Sequence, residues 1–126
     1  MKTISCVMCE NVIVDEQTKT VSMISMLENI NSQAYPIFLH RLSVFLFLEK
    51  SQPTDADNCD LKITGNIAGK TLIDTVFPFS FQGRPTTRVI LTFGGVMIPE
   101  PGTVEFNFSV DGNSVGKWSF FANKLS

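Results

Sequence analysis

The clearest pattern in the chain is an alternation of apolar and polar residues over residues 104–110. Val and Phe occupy the even positions, and Glu, Asn and Ser lie between them. A period of two is that of a strand with one buried face and one solvated face. Asp111-Gly112 follows directly, and this pair is typical of a two-residue hairpin turn. A return strand then carries Trp118, Phe120 and Ala122 on one face, so residues 104–122 predict a β-hairpin.

The same pattern, broken by turn residues about every ten positions, extends through the rest of the chain. Residues 41–49 are apolar at odd and even positions, which predicts a central strand either covered twice or packed against a partner. Pro78 cannot donate to a ladder, so its strand is predicted to be an edge or bulged there. Gly94-Gly95 is interpreted as a bulge or turn that ends a strand. The further predicted strands are residues 4–14, 20–30, 59–67, 71–81 and 86–93, with a hairpin across Ala68-Gly69-Lys70.

These elements predict one all-β domain over residues 1–126. The expected fold is an antiparallel two-sheet β-sandwich with seven or eight strands and immunoglobulin-like or similar Greek-key connectivity. A chain of this length removes about two thirds of its unfolded surface from water, so it needs neither a disulfide nor a metal to fold. Eleven phenylalanines against one Trp and one Tyr are typical of core filling rather than of a stacking platform.

Charge and hydropathy exclude several classes of partner. The ten Lys and Arg residues are dispersed and the formal net charge is −2, so neither nucleic acid nor an anionic membrane surface is expected as a partner. The longest apolar run, residues 44–48, is far shorter than the ~20 residues that span a bilayer. The N-terminus lacks the apolar stretch of a signal peptide. We therefore expect a cytoplasmic protein with reduced thiols at Cys6, Cys9 and Cys59.

Two blocks of the sequence resemble a known family. They are Cys6-Val7-Met8-Cys9-Glu10-Asn11 with residues 20–25, and residues 99–102 with the Phe-rich strand, Asp111-Gly112 and Val115-Gly116. Together they resemble small, uncharacterised, mainly bacterial proteins grouped as a domain of unknown function. The chain departs from the family at Asn11 and Ser25, where an acidic residue and a glycine are common. The resemblance covers nearly the whole chain, implies a β-sandwich and implies no activity.

Groups that could carry catalysis or bind metal are few. Cys6 and Cys9 have the spacing of half a zinc site, but only Cys59 and His40 remain as further ligands. On a strand, positions three apart point to opposite faces, so structural thiols are expected rather than a metal or redox pair. His40 is the only histidine, and no nucleophile elbow surrounds a serine. We therefore expect no enzymatic activity and no cofactor.

A polar loop clusters Asp55, Asp57 and Asp60. It lacks the mid-loop glycine and the later glutamate of a helical calcium-binding loop, so we interpret it as a solvated turn. A weak calcium site stays open as the alternative. Because end loops of a sandwich can bind ligands, these aspartates together with Tyr35 and His40 form a candidate site for a small ligand or carbohydrate.

The leading functional hypothesis rests on strand faces that bear phenylalanine side chains. Phe77, Phe79 and Phe81 share one face at period two, where core packing competes with an interaction surface. Phe45 and Phe47 lie on the second face of the predicted central strand. These faces and an open sheet edge favour a non-enzymatic protein-interaction or assembly module that binds a protein partner or a second copy. The small-ligand site at the end loops is the alternative.

Overall fold

The computed structural model describes residues 1–125, in which the chain forms nine β-strands and no helix. Accordingly, that part of the chain has no helix long and apolar enough to span a bilayer. The strands are β1 (Lys2–Val14), β2 (Val21–Met26), β3 (Asn29–Ser32), β4 (Ile37–Glu49), β5 (Asn58–Ile67), β6 (Lys70–Ser80), β7 (Thr86–Ile98), β8 (Gly102–Val110) and β9 (Asn113–Lys124).

The strands form two sheets that enclose a common core. One sheet has the order β2-β1-β4-β7, and the other has the order β3-β9-β8-β5-β6. Neighbouring strands are antiparallel except β3 and β9, which run parallel. The pair β4-β7 and the run β6-β5-β8-β9 follow the B-E and C′-C-F-G orders of immunoglobulin-like sandwiches. The predicted two-sheet sandwich is confirmed, and the parallel pair departs from the expected antiparallel pattern.

The strand count exceeds the predicted seven or eight because one predicted segment divides. Residues 20–30 were predicted as a single strand. In the structure, residues 21–26 form β2 in one sheet, and residues 29 and 30 begin β3 in the other. The Leu27 N–H donates to the Met8 carbonyl, and the Phe121 N–H donates to the Glu28 carbonyl, both at 3.0 Å. The chain therefore crosses between the sheets at Leu27-Glu28, a step that hydrophobic alternation alone does not reveal.

Strand β7 continues past Gly94-Gly95, where its end was predicted. The pairing with β4 runs without a register shift to Ile98. Gly95 has a φ of 70°, in the left-handed region that favours glycine. Buried positions are odd before the glycines, at Val89 and Leu91, and even after them, at Val96 and Ile98. The glycines thus act as an irregularity inside the strand, and the predicted strand end was wrong.

Two predicted hairpins are confirmed at their turns. Asp111 and Gly112 have φ values of 51° and 80°, and Ala68 and Gly69 have values of 48° and 78°. Positive φ at both central residues is that of the type I′ turn, whose twist matches the twist of the paired strands. The edge position of β6, which contains Pro78, and the central position of β4 between β1 and β7 are also confirmed.

The core lies between the sheets and consists of apolar residues spaced two apart along each strand. The Phe106 ring of β8 stacks on Phe120 of β9, with ring centroids 6.3 Å apart. Gly65 of β5 lies opposite Phe106, and a Cβ atom there would stand 2.6 Å from a carbon of that ring. Strands β4 and β8 contribute eight residues to the core, namely Leu42, Val44, Leu46, Leu48, Val104, Phe106, Phe108 and Val110.

Candidate functional site

Strand β1 reverses its course along the sheet after Cys9. It pairs antiparallel with β4 up to Cys9, which lies opposite Ser43. A straight continuation at about 3.3 Å per residue would carry Val14 roughly 16 Å beyond Ser43 and away from Phe47. Val14 and Phe47 instead line the same pocket. The segment after Cys9 therefore folds back over the strand with which β1 has just paired.

Residues 10–26, here termed the folded-back hairpin, lie over the outer face of β4, and their tip reaches Arg88 of β7. Near the base of the hairpin, Ser43 Oγ donates to the Glu10 carbonyl at 3.4 Å. At the tip, Arg88 Nη1 donates to the Lys19 carbonyl at 2.9 Å. Asp15 shapes the tip turn because its Oδ1 accepts two backbone N–H groups, each at 2.9 Å. The hairpin forms a third layer on the sandwich.

This hairpin covers the second apolar face of β4. Ser43, Phe45 and Phe47 alternate with the core residues of the strand and so point away from the interior. Ser43 is fully buried and Phe45 is only 5% exposed. Phe47 is half-buried, and the Arg88 guanidinium carbon lies 5.9 Å from its ring centroid. Of the two arrangements predicted for this strand, the structure has the one covered on both faces, and Phe45 is not available to a partner.

The predicted phenylalanine stripe runs from the surface into the core. Phe77 and Phe79 lie on the edge strand β6, opposite inward-pointing residues of β5, and Phe81 follows the strand. Phe77 is exposed and Phe79 is half-buried, whereas Phe81 is buried, with its ring centroid 5.8 Å from that of Phe79. The three side chains therefore do not form one exposed surface, and two of them pack against or within the core.

The five residues of the predicted end-loop site do not meet in the structure. Tyr35 lies just before β4 and His40 near its start, whereas Asp55 and Asp57 lie in the loop beyond its other end and Asp60 lies at the start of β5. The stretch of β4 from His40 to the end of the strand spans about 30 Å. The two groups thus belong to opposite ends of the sandwich, and the predicted single ligand site is not assembled.

Asp55 and Asp57 stabilise the loop that contains them. Asp57 forms an ion pair with Lys50 and accepts the Gly83 N–H at 3.0 Å. The hydrogen bond from Lys50 lowers the pKa of the Asp57 carboxyl. Asp55 Oδ2 accepts the Gln52 N–H at 3.1 Å. Within residues 1–125, no group of three or more His, Cys, Asp or Glu side chains is placed to hold a metal ion.

The three cysteines are free thiols in different surroundings. Cys6 packs against the core, and Cys9 is buried where the hairpin folds back, with Sγ donating to the Asn11 carbonyl at 3.2 Å. Burial raises the pKa of Cys6 to about 11 and also raises the pKa values of Cys9 and Cys59. Because the thiolate is the reactive form, burial makes these thiols less reactive than exposed cysteines at neutral pH.

We expect the Cys6 thiol to gain reactivity continuously until the pH approaches 11. In a Cys9→Ala, Cys59→Ala variant, the rate of alkylation by iodoacetamide should rise about tenfold per pH unit between 7 and 10, because only the thiolate reacts. Mass spectrometry measures this rate. An unstructured cysteine peptide is the control and should level off above a pKa of about 8.5. A plateau near pH 9 for Cys6 would contradict the protection by burial.

The outward surface of the folded-back hairpin is apolar. Ile13 and Ile24 lie on the hairpin face opposite to Val12 and Val21, which are half-buried. Contiguous exposed apolar side chains of this kind mark interaction surfaces more often than isolated ones do. The surface, termed the hairpin patch, consists of Ile13, Ile24 and Met26, each between 45% and 52% exposed, whereas Met23 pairs with Val12 and lies on the other face.

Strand β2 is an open edge of its sheet. Its six residues include neither a charged residue nor a proline. By contrast, β3 has four residues and β6 contains Pro78, whereas β7, at Gly95, and β2, at Ser25, each contain a residue of positive φ. Short length, proline and bulges are the devices by which proteins protect sheet edges. The alternation of apolar and polar residues does not distinguish this strand from the others, and the absence of charge between Lys19 and Glu28 is its only signal in the sequence.

One protein family, described as a family of unknown function (DUF6941), matches residues 4–123 of the chain. The match begins in β1 and ends in β9, so it includes both sheets and the folded-back hairpin. The comparison with curated proteins yields no match. The hairpin is therefore part of the region that the family shares, together with the sandwich that it covers.

Proposed function

We propose that this chain, which belongs to the DUF6941 family of unknown function, is a non-enzymatic assembly module that pairs with a second copy through β2. The observation that carries the proposal is the hairpin patch, which lies on and beside an edge strand without charge or proline. An open strand of this kind accepts a further strand because its free N–H and C=O groups can form a new ladder.

The backbone of β2 has groups free for such a ladder. The Asp15 N–H donates to the Thr20 carbonyl at 2.9 Å, so Thr20 faces β1. In antiparallel pairs, consecutive residues direct their hydrogen-bonding groups alternately to one side and the other. It follows that the N–H and C=O groups of Val21 and Met23 point towards the open edge. A strand paired there would extend the hairpin layer by hydrogen bonds as well as by apolar contact.

A second copy fits this edge better than a partner with a charged strand. Since β2 carries no charge, antiparallel pairing with itself places no like charges opposite one another within the strand. Lys19 precedes the strand and Glu28 follows it, and both are exposed. Antiparallel pairing therefore brings Lys19 of each copy towards Glu28 of the other. A two-fold dimer also closes the assembly, because each β2 edge is used once.

The proposed absence of catalysis is supported by the state of the nucleophile candidates. Burial raises the pKa of all three thiols, so thiolate is scarce at neutral pH. His40, the only histidine in the sequence, is exposed at the end of the sandwich away from Asp55 and Asp57. A general base must reach its partner within hydrogen-bond distance, and these groups are separated by the length of β4.

We expect the wild-type protein to have twice the 14.0 kDa mass of the chain and the Met23→Lys variant to have the mass of one chain. A lysine at this position puts a positive charge beside the two-fold axis in both copies. The two ammonium groups would repel each other and would lose hydration on pairing, so the dimer should dissociate. Size-exclusion chromatography with light scattering, run over a range of concentrations, measures the mass.

Met97→Lys is the matched control, because Met97 is 44% exposed and lies on β7, the other edge strand of the same sheet. This variant should stay dimeric. A wild-type protein that keeps the mass of one chain up to about 1 mM, a weak limit near 4 kcal/mol of binding energy, contradicts the proposal. A dimeric Met23→Lys variant contradicts it as well, because the interface would then lie elsewhere.

A further inference from the structure

A pocket lies between the tip of the folded-back hairpin and the loop that joins β6 to β7. Its volume is about 530 Å³, within the range of small-molecule sites. The cationic side chains of Lys19, Arg84 and Arg88 line it, and Val14, Phe47 and Phe81 form its apolar part. The hairpin contributes Val14 and Lys19, so the pocket exists because the hairpin folds back.

All the charged side chains that line this pocket are cationic. The chain has a formal net charge of −2, yet no carboxylate lines the pocket. The ion pairs found within residues 1–125 use Lys50, Lys70 and Lys117, and none of them uses a cation of the pocket. Glu49 lines a separate pocket that shares Arg84, and Asp15, which follows Val14, accepts two backbone N–H groups of the tip turn. Three cations without a carboxylate among them raise the local potential, which an anion would lower.

The placement of Arg88 leaves part of its guanidinium group available to a ligand. One of its nitrogens donates to the Lys19 carbonyl at 2.9 Å, and its carbon lies 5.9 Å from the Phe47 ring centroid. A guanidinium group has five N–H donors in a planar fork, so donors remain for a carboxylate or phosphate. The cation-π contact with Phe47 holds the guanidinium group beside an apolar surface.

We propose that this pocket binds a small organic anion that has a carboxylate or phosphate group attached to an aromatic or aliphatic body. The anionic group contacts Lys19, Arg84 and Arg88 through charge-assisted hydrogen bonds. The apolar body packs against Val14 and Phe47. Because the ligand contacts both the hairpin tip and β7, it ties the hairpin to the sheet, and its binding stabilises the folded protein by mass action. The proposed ligand site lies beside the β2 edge and goes beyond the proposed pairing, although Lys19 belongs to both.

Phenyl phosphate, inorganic phosphate and phenol are the probes, since they separate the anionic group from the apolar body. Isothermal titration calorimetry measures binding, and a thermal melt measures stabilisation. We expect phenyl phosphate to bind at least about tenfold more tightly than either of the other two and to raise the melting temperature. Amide chemical shifts of the hairpin tip and of the start of β7 should move on titration.

Arg84→Gln should weaken phenyl phosphate binding about tenfold or more, as expected for the loss of one charge-assisted contact. Arg41→Gln is the matched control, because Arg41 is an exposed arginine of β4 that lies about 20 Å from Phe47 along the strand. Equal binding by both variants overturns the proposed site. Absence of phenyl phosphate binding up to 10 mM, or equal affinity for inorganic phosphate, overturns the ligand class.

Discussion

Replacement of Phe106 by alanine is expected to lower the free energy of unfolding by about 3–5 kcal/mol. The side chain is fully buried and stacks on Phe120 at 6.3 Å, so its loss removes apolar contacts on both sides and leaves a cavity. With a urea m-value of about 2 kcal/mol per molar, the midpoint should fall by roughly 2 M. Fluorescence of Trp118, the only tryptophan, reports the unfolding.

The control is Phe121→Ala, because Phe121 lies on β9 next to Phe120 but is 52% exposed. This variant should change stability by about 0.5 kcal/mol or less. Both variants are measured at one protein concentration in the Met23→Lys background, because a dimer would add a concentration-dependent term. Similar losses for the two variants would show that Phe106 does not occupy the interior that the structure assigns to it.

Gly65 provides a second test of the same packing. A Cβ atom at Gly65 would meet the Phe106 ring at 2.6 Å, so Gly65→Ala should cost about 1–3 kcal/mol through overpacking. When Phe106 is already alanine, the obstructing ring is gone, and Gly65→Ala should be neutral or stabilising by up to about 1 kcal/mol. A double-mutant cycle measures this difference. Additive costs would contradict the contact.

The closing hairpin and the core were predictable because two independent local signals agree there. Alternation over residues 104–110 defines which face is buried, and Asp111-Gly112 defines the turn type. Both signals act over a few residues, so they do not depend on the rest of the fold. Gly65 shows the limit of this reasoning, because its role depends on the ring of Phe106, which is distant in sequence.

The folded-back hairpin was not predictable from the same signals. Alternation indicates that a segment is extended, but it does not give the direction of the segment in space. The turn back occurs after Cys9 without a glycine or proline to mark it, so residues 4–14 were predicted as one ordinary strand. The sequence did contain a consequence of the reversal: residues 41–49 are apolar on both faces, which requires a cover on each of them.

The residues of the predicted end-loop site do not come together in the structure, for a related reason. Tyr35, His40 and Asp55 to Asp60 are close in sequence and flank a single strand, but a strand carries its two ends to opposite sides of the domain. In the cationic pocket, by contrast, residues that are distant in sequence lie close together. Lys19 and Arg88 are 69 residues apart in sequence, and a hydrogen bond brings them together across the hairpin tip. Such pairs are set by tertiary structure, which local patterns do not encode.

Phe45→Ala is the prediction that decides whether the hairpin folds back. Phe45 lies on the outer face of β4, opposite Val7 and Ile90, and would be exposed if the hairpin extended away from the sheet. Since the hairpin leaves only 5% of it exposed, we expect a loss of about 3–5 kcal/mol, as large as that of a core phenylalanine. Urea unfolding in the Met23→Lys background measures the loss.

Phe38 provides the matched control, because it lies on the same strand and is 59% exposed. Phe38→Ala should change stability by about 0.5 kcal/mol or less. A hairpin that extended into solvent would leave both rings on open surface, and the two substitutions would then have similar small effects. A large difference between them therefore requires a cover over Phe45, and residues 10–26 are the segment whose contacts with Ser43 and Arg88 place it there.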